Sequence, residues 1–324
     1  MLSGAAWTAG KDPGASPSPA RLCYKRNAMI QGGRSAPVSK PGARWGRSNR
    51  PRAGLLDRVL DRWGFARPEA PTREALEALH QAYLDHVPFE NATKLLKVAR
   101  AGTAGGAMRG PVEFWEEHLR LGSGGTCFSS TAAYQFLLRY LGFSSRLLFC
   151  QLPASEPEAH TALLVTMEEK PFLVDVGYAL PAPVPLPNGG PERHATPYYD
   201  IEVRRGVEEE YLLFSEDDRG QRFRYRFTLG EVSEVDFRRA WKRTFGTKAP
   251  YMRRLALGRF REGTRYLYKD PRAVFAITRG GEEALPLLEP RIPKLARIFQ
   301  LPEPLLEAAW RTLESPPDSP PHRK

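Results

Sequence analysis

Gly124-Gly125-Thr126-Cys127-Phe128 is the stretch on which the reading of this chain turns, because it runs a glycine pair straight into a helix whose first turn holds a cysteine. From Cys127 to Leu141, Phe128, Ala132, Phe136 and Tyr140 recur four apart, the spacing of one buried helical stripe, and Gly142 stands where a C-terminal stop belongs. Backbone N–H groups in a first turn lack helical acceptors and carry partial positive charge, so they favour an anion on the sulfur or on an acyl oxygen beside it. The thiolate, not the thiol, is the nucleophile, so Cys127 is a candidate catalytic residue.

A nucleophile of this kind needs a base and a group to orient the base. His160 to Val165 and Phe172 to Val176 read as strands, with Glu168, Glu169, Lys170 and Pro171 as punctuation, and together they form a hairpin. A two- or four-residue turn makes the numbers of facing residues sum to an odd value, which puts His160 and Asp175 on one face. Asp175 then accepts the His160 ring N–H, fixes the tautomer and leaves the second nitrogen for the thiol. The remaining candidates read as structural. Cys150 is a small buried hydrophobe and Cys23 the same or part of a tail, while His118 has no evident partner. His80 and His86 are six apart and off a shared helical face, so no metal-ligand spacing is present, and no phosphate-cradling glycine motif occurs.

The segments Leu76 to Leu84, Val87-Pro88-Phe89-Glu90-Asn91, Gly124 to Phe128, His160 to Leu163 and Phe172 to Gly177, in this order, resemble the arylamine N-acetyltransferase family over roughly residues 55 to 315. The resemblance implies that Cys127, His160 and Asp175 are the catalytic triad. It implies an α+β fold in three parts, an N-terminal helical bundle, a central antiparallel β-barrel and a C-terminal α/β lid, with a cysteine-proteinase-like (papain-like) active-site arrangement. It also makes Phe89, Thr126, Phe128 and Tyr178 candidate substrate contacts. Around the nucleophile the family typically reads Arg-Gly-Gly-Tyr-Cys-Phe-Glu, whereas this chain has Ser123, Thr126 and Ser129 at the arginine, tyrosine and glutamate positions. Losing both charges together is a compensated change, which leaves a roomier and less braced pocket beside Cys127. After the aspartate, Val176-Gly177-Tyr178-Ala179 replaces the usual Val-Gly-Phe-Gly.

Composition bounds the rest. The formal charge of +11 invites a nucleic-acid reading, but its distribution argues against one. Residues 1–54 hold ten Lys or Arg against Asp12 alone, and the other 270 residues carry 38 basic and 36 acidic side chains. The first 54 residues, rich in Gly, Pro, Ser and Ala, read as a disordered basic tail; Met29 inside it is an alternative start. The helical bundle with the nucleophile takes 55–143, the barrel with His and Asp 144–235, the lid 236–316, and 317–324 is a frayed end. Strands follow at Ser145 to Gln151, Tyr199 to Arg204, Glu210 to Ser215 and Gln221 to Thr228. The lid reads as a helix over Phe237 to Phe245, strands over Arg265 to Lys269 and Ala273 to Thr278, and closing helices over Leu285 to Phe299 and Pro304 to Leu313. Pro181 to Pro187 is a stiff connector placed to wall the acyl-donor cleft. Three scattered cysteines, no signal-peptide core and no membrane-length apolar run point to a cytoplasmic protein.

The expected function is transfer of an acetyl group from acetyl-CoA, as co-substrate rather than tightly bound cofactor, through a cysteine thioester to an arylamine or hydrazine by a ping-pong route. Two alternatives stand beside it: an amide synthase of secondary metabolism fed by an acyl carrier protein, and a non-catalytic binding protein on the same fold. No nucleic acid or membrane partner is expected.

Overall fold

A computed structural model of the chain describes residues 54–207 and 209–314; the basic tail before Gly54, with Cys23 and Met29, and the end at 317–324 lie outside the described residues. The first part is built from α1 (Leu55–Trp63), α2 (Arg73–His86), the two-residue strand β1 (Phe89–Glu90), α3 (Ala92–Ala101), α4 (Ala104–Ala107), α5 (Pro111–Leu121) and α6 (Cys127–Tyr140). Local chemistry sets these boundaries. Thr72 caps α2 by accepting the Ala75 N–H at 3.2 Å, and α5 opens on Pro111 and closes on Gly122 in the left-handed region.

The expected single stripe on α6 proves too narrow. Phe128 and Ala132 are buried, but so are Ser129, Thr131, Tyr134 and Leu138, while Phe136 and Tyr140 are only partly buried. The helix is clamped between neighbours: Trp115 of α5 donates to the Ala133 carbonyl at 3.1 Å, and Thr131 donates to the Thr161 carbonyl at 3.2 Å. A helix covered on several sides needs no polar face.

The second part comprises β2 (Ser144–Gln151), β3 (His160–Met167), β4 (Lys170–Val174), β5 (Val184–Pro185), β6 (Glu192–His194), β7 (Asp200–Arg205), β8 (Glu210–Asp217) and β9 (Gly220–Thr228). All pair antiparallel in the order β5-β4-β3-β2-β9-β8-β7-β6, curling into a nearly closed barrel. The β3–β4 hairpin closes through Glu168 and Glu169, both at positive φ (47° and 64°), the signature of a two-residue turn whose twist matches the strands. Its register pairs Leu163 with Val174, so partners sum to an odd number and Asp175, one step beyond β4, lies diagonally across from His160. The proline-rich connector contributes β5, whose Val184 and Pro185 pair with β4 and do not line the cavity described below.

The third part holds α7 (Glu234–Arg243), β10 (Leu257–Arg261), β11 (Thr264–Asp270), β12 (Ala273–Thr278), β13 (Gly281–Pro286), α8 (Arg291–Phe299) and α9 (Glu303–Glu314). The helix expected from Leu285 is corrected here. Leu285 and Pro286 end β13, paired with Val274 and Ala273, and the next helix starts only after Pro290. β1 completes this sheet, in the order β1-β10-β11-β12-β13, by pairing Phe89 with Gly258 and Glu90 with Leu257. A strand from the helical part thus carries the Pro-Phe-Glu-Asn segment onto the C-terminal sheet, next to the start of α6.

Candidate active site

Cys127 opens α6. The first helical bond runs from the Ser130 N–H to the Thr126 carbonyl at 3.0 Å, so the amides of Cys127, Phe128 and Ser129 have no acceptor inside the helix, and Thr126 supplies no side-chain cap. These groups leave a partial positive charge around the sulfur. The glycine pair is dictated by close approach: a Cβ at Gly124 would overlap the Pro88 carbonyl, and the Gly125 carbonyl accepts the Glu90 N–H at 3.2 Å.

The hairpin delivers the other two groups. His160 donates through Nε2 to Asp175 Oδ2 at 2.7 Å, and the second carboxylate oxygen accepts the Tyr178 N–H at 2.8 Å. Asp175 is fully buried and His160 nearly so. With Nε2 committed, Nδ1 is left for the thiol. Gly177 sits between the partners, for a Cβ there would lie 2.7 Å from both Cα and Cβ of Cys127 and 3.2 Å from His160 Cε1. Burial alone would lower the His160 pKa. The Asp175 charge and hydrogen bond, joined by a hydrogen bond and charge from Cys127, overcome it and raise the ring to about 10. An imidazolium beside the sulfur is the counter-ion that a thiolate needs. Tyr225 of β9 backs the imidazole, ring centres 5.5 Å apart.

The four candidate contacts divide. Phe89 and Tyr178 line a cavity of about 250 Å³ that reaches Gly177 and so abuts the triad. Phe128 does not: it is fully buried, packed against Phe237 and Trp241 at 5.2 and 6.4 Å, and supports the site from within the core. Thr126 lines a separate gap of about 10 Å³ together with Lys94, Arg109 and Ser129.

That gap corrects the expectation of a loose pocket. Arg109, on the loop between α4 and α5 and 4% exposed, donates to the Gly124 carbonyl, pairs with Glu117 at 2.6 Å and lies 3.9 Å from Glu90. It therefore brings a guanidinium to the turn where the resemblance leads one to expect an arginine at 123, and Glu90 and Glu117 supply carboxylates beside it, where one is expected at 129. Lys94 fills the rest, donating to the carbonyl and hydroxyl of Thr244 at 2.7 and 2.8 Å, with its ammonium 4.3 Å from the Phe245 ring centre. Burial lowers its pKa to about 8 against the pull of the Cys127 charge. Neither residue stands out from the sequence alone. The signal for Arg109 is Glu90 itself, since a carboxyl at a buried position calls for a nearby cation to offset the burial that pushes its pKa up.

Two histidines act as clips. Trp63 donates to His118 Nε2 at 3.0 Å, which leaves Nδ1–H to donate to the Ser123 carbonyl at 2.9 Å. His80 bonds the Leu180 carbonyl at 2.7 Å and ties α2 to the loop beyond Asp175. Burial holds both rings down to about 4, hence neutral. Cys150 faces His160 across β2–β3 but is fully buried, and desolvation pushes its thiol well up. Ala179, where the resemblance leads one to expect glycine, holds a φ of 59°, a region that costs an L-residue roughly 1 kcal/mol. Among the described residues no cluster of His, Cys, Asp or Glu is arranged to hold a metal ion, and no helix is long and apolar enough to cross a membrane.

The sequence and the fold that carry this arrangement are similar to those of known proteins. A family model described as N-acetyltransferase matches residues 72–267, more than half the chain. The arylamine N-acetyltransferase of Escherichia coli K12 is 28% identical over 198 residues, covering 56% of this chain and 64% of that protein. The arylamine N-acetyltransferase / N-hydroxyarylamine O-acetyltransferase of Salmonella typhimurium is 35% identical over 126 residues, 36% of this chain and 42% of the relative. The alignments thus span less than two thirds of either curated relative. The solved arylamine N-acetyltransferase from Salmonella typhimurium superimposes with a TM-score of 0.69 at 22% identity, covering 81% of this chain and all of that one. Matching sequence blocks over most of the first two structural parts, and a common fold over all three, place this chain in the arylamine N-acetyltransferase family.

Proposed function

We propose that this protein moves an acetyl group from acetyl-CoA to the nitrogen of an aromatic amine or hydrazine in two half-reactions through Cys127. The observation that carries the reading is the placement of the Cys127 sulfur at the start of α6 against the His160–Asp175 pair. The thiolate attacks the thioester carbonyl, the unpaired amides around Cys127 receive the oxyanion, and the tetrahedral species expels the coenzyme A thiolate, which takes up the imidazolium proton. The acetyl-cysteine that remains is also a thioester, so this exchange is nearly isoenergetic. The amine then attacks, His160 accepts its proton at Nδ1, and collapse returns the Cys127 thiolate and the amide, which makes the second step downhill. Asp175 holds the ring oriented throughout.

Initial rates measured while both acetyl-CoA and an aromatic amine are varied test this route. Parallel double-reciprocal lines are expected from a covalent relay. Converging lines, which report a ternary complex, would overturn it.

A further inference from the structure

One buried positive charge beside the nucleophile has no part in the two half-reactions. The gap of about 10 Å³ touched by Thr126 and Ser129, close neighbours of Cys127 in α6, is also lined by three cations, Lys94, Lys97 and Arg109, and among the described residues by no carboxylate. Two of the three are neutralised nearby. Lys97 pairs with Glu113, and Arg109 pairs with Glu117 at 2.6 Å and lies 3.9 Å from Glu90. Lys94, 7% exposed, makes no ion pair among the described residues. Its ammonium donates to the carbonyl and hydroxyl of Thr244 at 2.7 and 2.8 Å and stands 4.3 Å from the Phe245 ring centre. Neutral oxygens and a ring face reduce the cost of burying an ammonium but leave its charge uncompensated. The gap has room for about one water molecule, so no anion from solution fits there as counter-ion.

The anion within electrostatic reach is the sulfur. Phe245, against which the ammonium rests, belongs with Trp241 to the same core cluster as Cys127. Burial lowers the Lys94 pKa to about 8, and the charge that opposes burial is that of Cys127. Other elements around α3 bring no second anion to Lys94. From α7 and its end come Trp241, Thr244 and Phe245, none of them charged, and α4 carries no titratable side chain. Helix α9 packs on Ala92 and Leu95, with its Glu303, Glu307, Arg311 and Glu314 exposed to solvent.

We propose that Lys94 is a positioning residue of the active site, its ammonium being the fixed countercharge that together with His160 holds Cys127 as a thiolate. The proposal rests on the reading of Cys127 as the nucleophile. An acetyl group on the sulfur removes the negative charge and leaves Lys94 uncompensated, so the same ammonium favours return of the thiolate when the amine discharges the acetyl-enzyme.

The test follows the rate at which iodoacetamide alkylates Cys127 against pH, read at that residue by peptide mass spectrometry, in wild type and in Lys94→Met, which keeps a long side chain without its charge. The midpoint of the profile is expected about one pH unit higher in the variant, so that below both midpoints Cys127 reacts about tenfold more slowly. A lower rate with an unchanged midpoint would overturn the proposal, because Lys94 would then be only a brace between α3 and α7. The reciprocal measurement needs no variant: the Nζ resonance of Lys94 is titrated by NMR in wild type before and after Cys127 is alkylated. Coupling between two sites is mutual, so blocking the sulfur should lower the Lys94 midpoint by the same amount, about one pH unit. A resonance unmoved by alkylation would overturn the proposal. Neither measurement uses acetyl-CoA, so a protein that takes up no acetyl group would defeat the acyl-transfer reading while the charge coupling is read by itself.

Discussion

Gly177 leaves no room for a side chain between the nucleophile and its base, so the smallest substitution there tests the geometry. In Gly177→Ala the added carbon would meet Cys127 at 2.7 Å and His160 at 3.2 Å. A displacement of that order is expected to lower kcat/KM by about a hundredfold and, because one of the atoms met is backbone of α6, to lower the thermal midpoint as well. Equal activity would show that sulfur and imidazole do not meet across this residue. His160 carries a second test. Its pKa is raised on folding, so the folded state binds the proton more tightly than the unfolded chain. The ring's contribution to stability is therefore complete below its unfolded value of 6.5 and fades as pH rises through about 10. Urea melts of wild type and His160→Gln should show a gap that is widest at the acid end of this window and narrows toward its alkaline end. A gap that widens with pH would mean that the ring is buried neutral. The grouping of Cys127, His160 and Asp175 was legible in the sequence because each lies in a segment with strong local signals and in a block that carries the family resemblance. Arg109 was not, since nothing local to Met108-Arg109-Gly110 shows that its guanidinium reaches the Gly124 carbonyl.

At the scale of elements, Arg109 joins β1, α5 and the turn into α6 through Glu90, Glu117 and Gly124. Removing the cation strands the buried Glu90 carboxylate, so Arg109→Gln is expected to cost about 3 kcal/mol in urea unfolding. Moving the charge, in Arg109→Ser combined with Ser123→Arg, should recover part of that loss and the rate at which Cys127 reacts with iodoacetamide. Failure of Arg109→Gln to destabilise would show that the brace is dispensable. The hairpin that carries His160 and Asp175 was readable because a two-residue turn fixes register by parity alone. The helix expected over Leu285 to Phe299 failed for a related reason. Its apolar spacing fits a helix, but Pro286 and Pro290 interrupt it, and its first residues pair with β12 instead. β10 escaped notice because Leu257-Gly258-Arg259-Phe260-Arg261 lacks alternation, its buried arginine being held by carbonyls of α2 and α8. Helix α3 likewise gives no clear stripe, and its buried Ala92 and Leu95 pack into the C-terminal cluster.

Across the whole molecule, the histidine clips link stability to acid. His80 and His118 are held near 4 by burial, below their ordinary 6.5, so the unfolded chain binds more protons between those values. The contribution of these two rings to stability should be complete above about 6.5 and fall as pH drops toward 4, by up to about 1.4 kcal/mol per pH unit for each ring. Chemical melts over this range check it, and His118→Gln should show a shallower slope; an unchanged slope would remove His118 from the account. The three-part architecture was legible from the order of helical and strand-like segments, together with the family resemblance. What it could not convey was how the parts interlock, with β1 leaving the helical bundle to pair with β10 and α6 buried among several neighbours. Those contacts converge on one sulfur. Intact-protein mass after incubation with acetyl-CoA tests that convergence most directly: a single adduct of about 42 Da, lost in Cys127→Ala and discharged by an aromatic amine, is the expected result. An unmodified mass, or an adduct that survives Cys127→Ala, would contradict it.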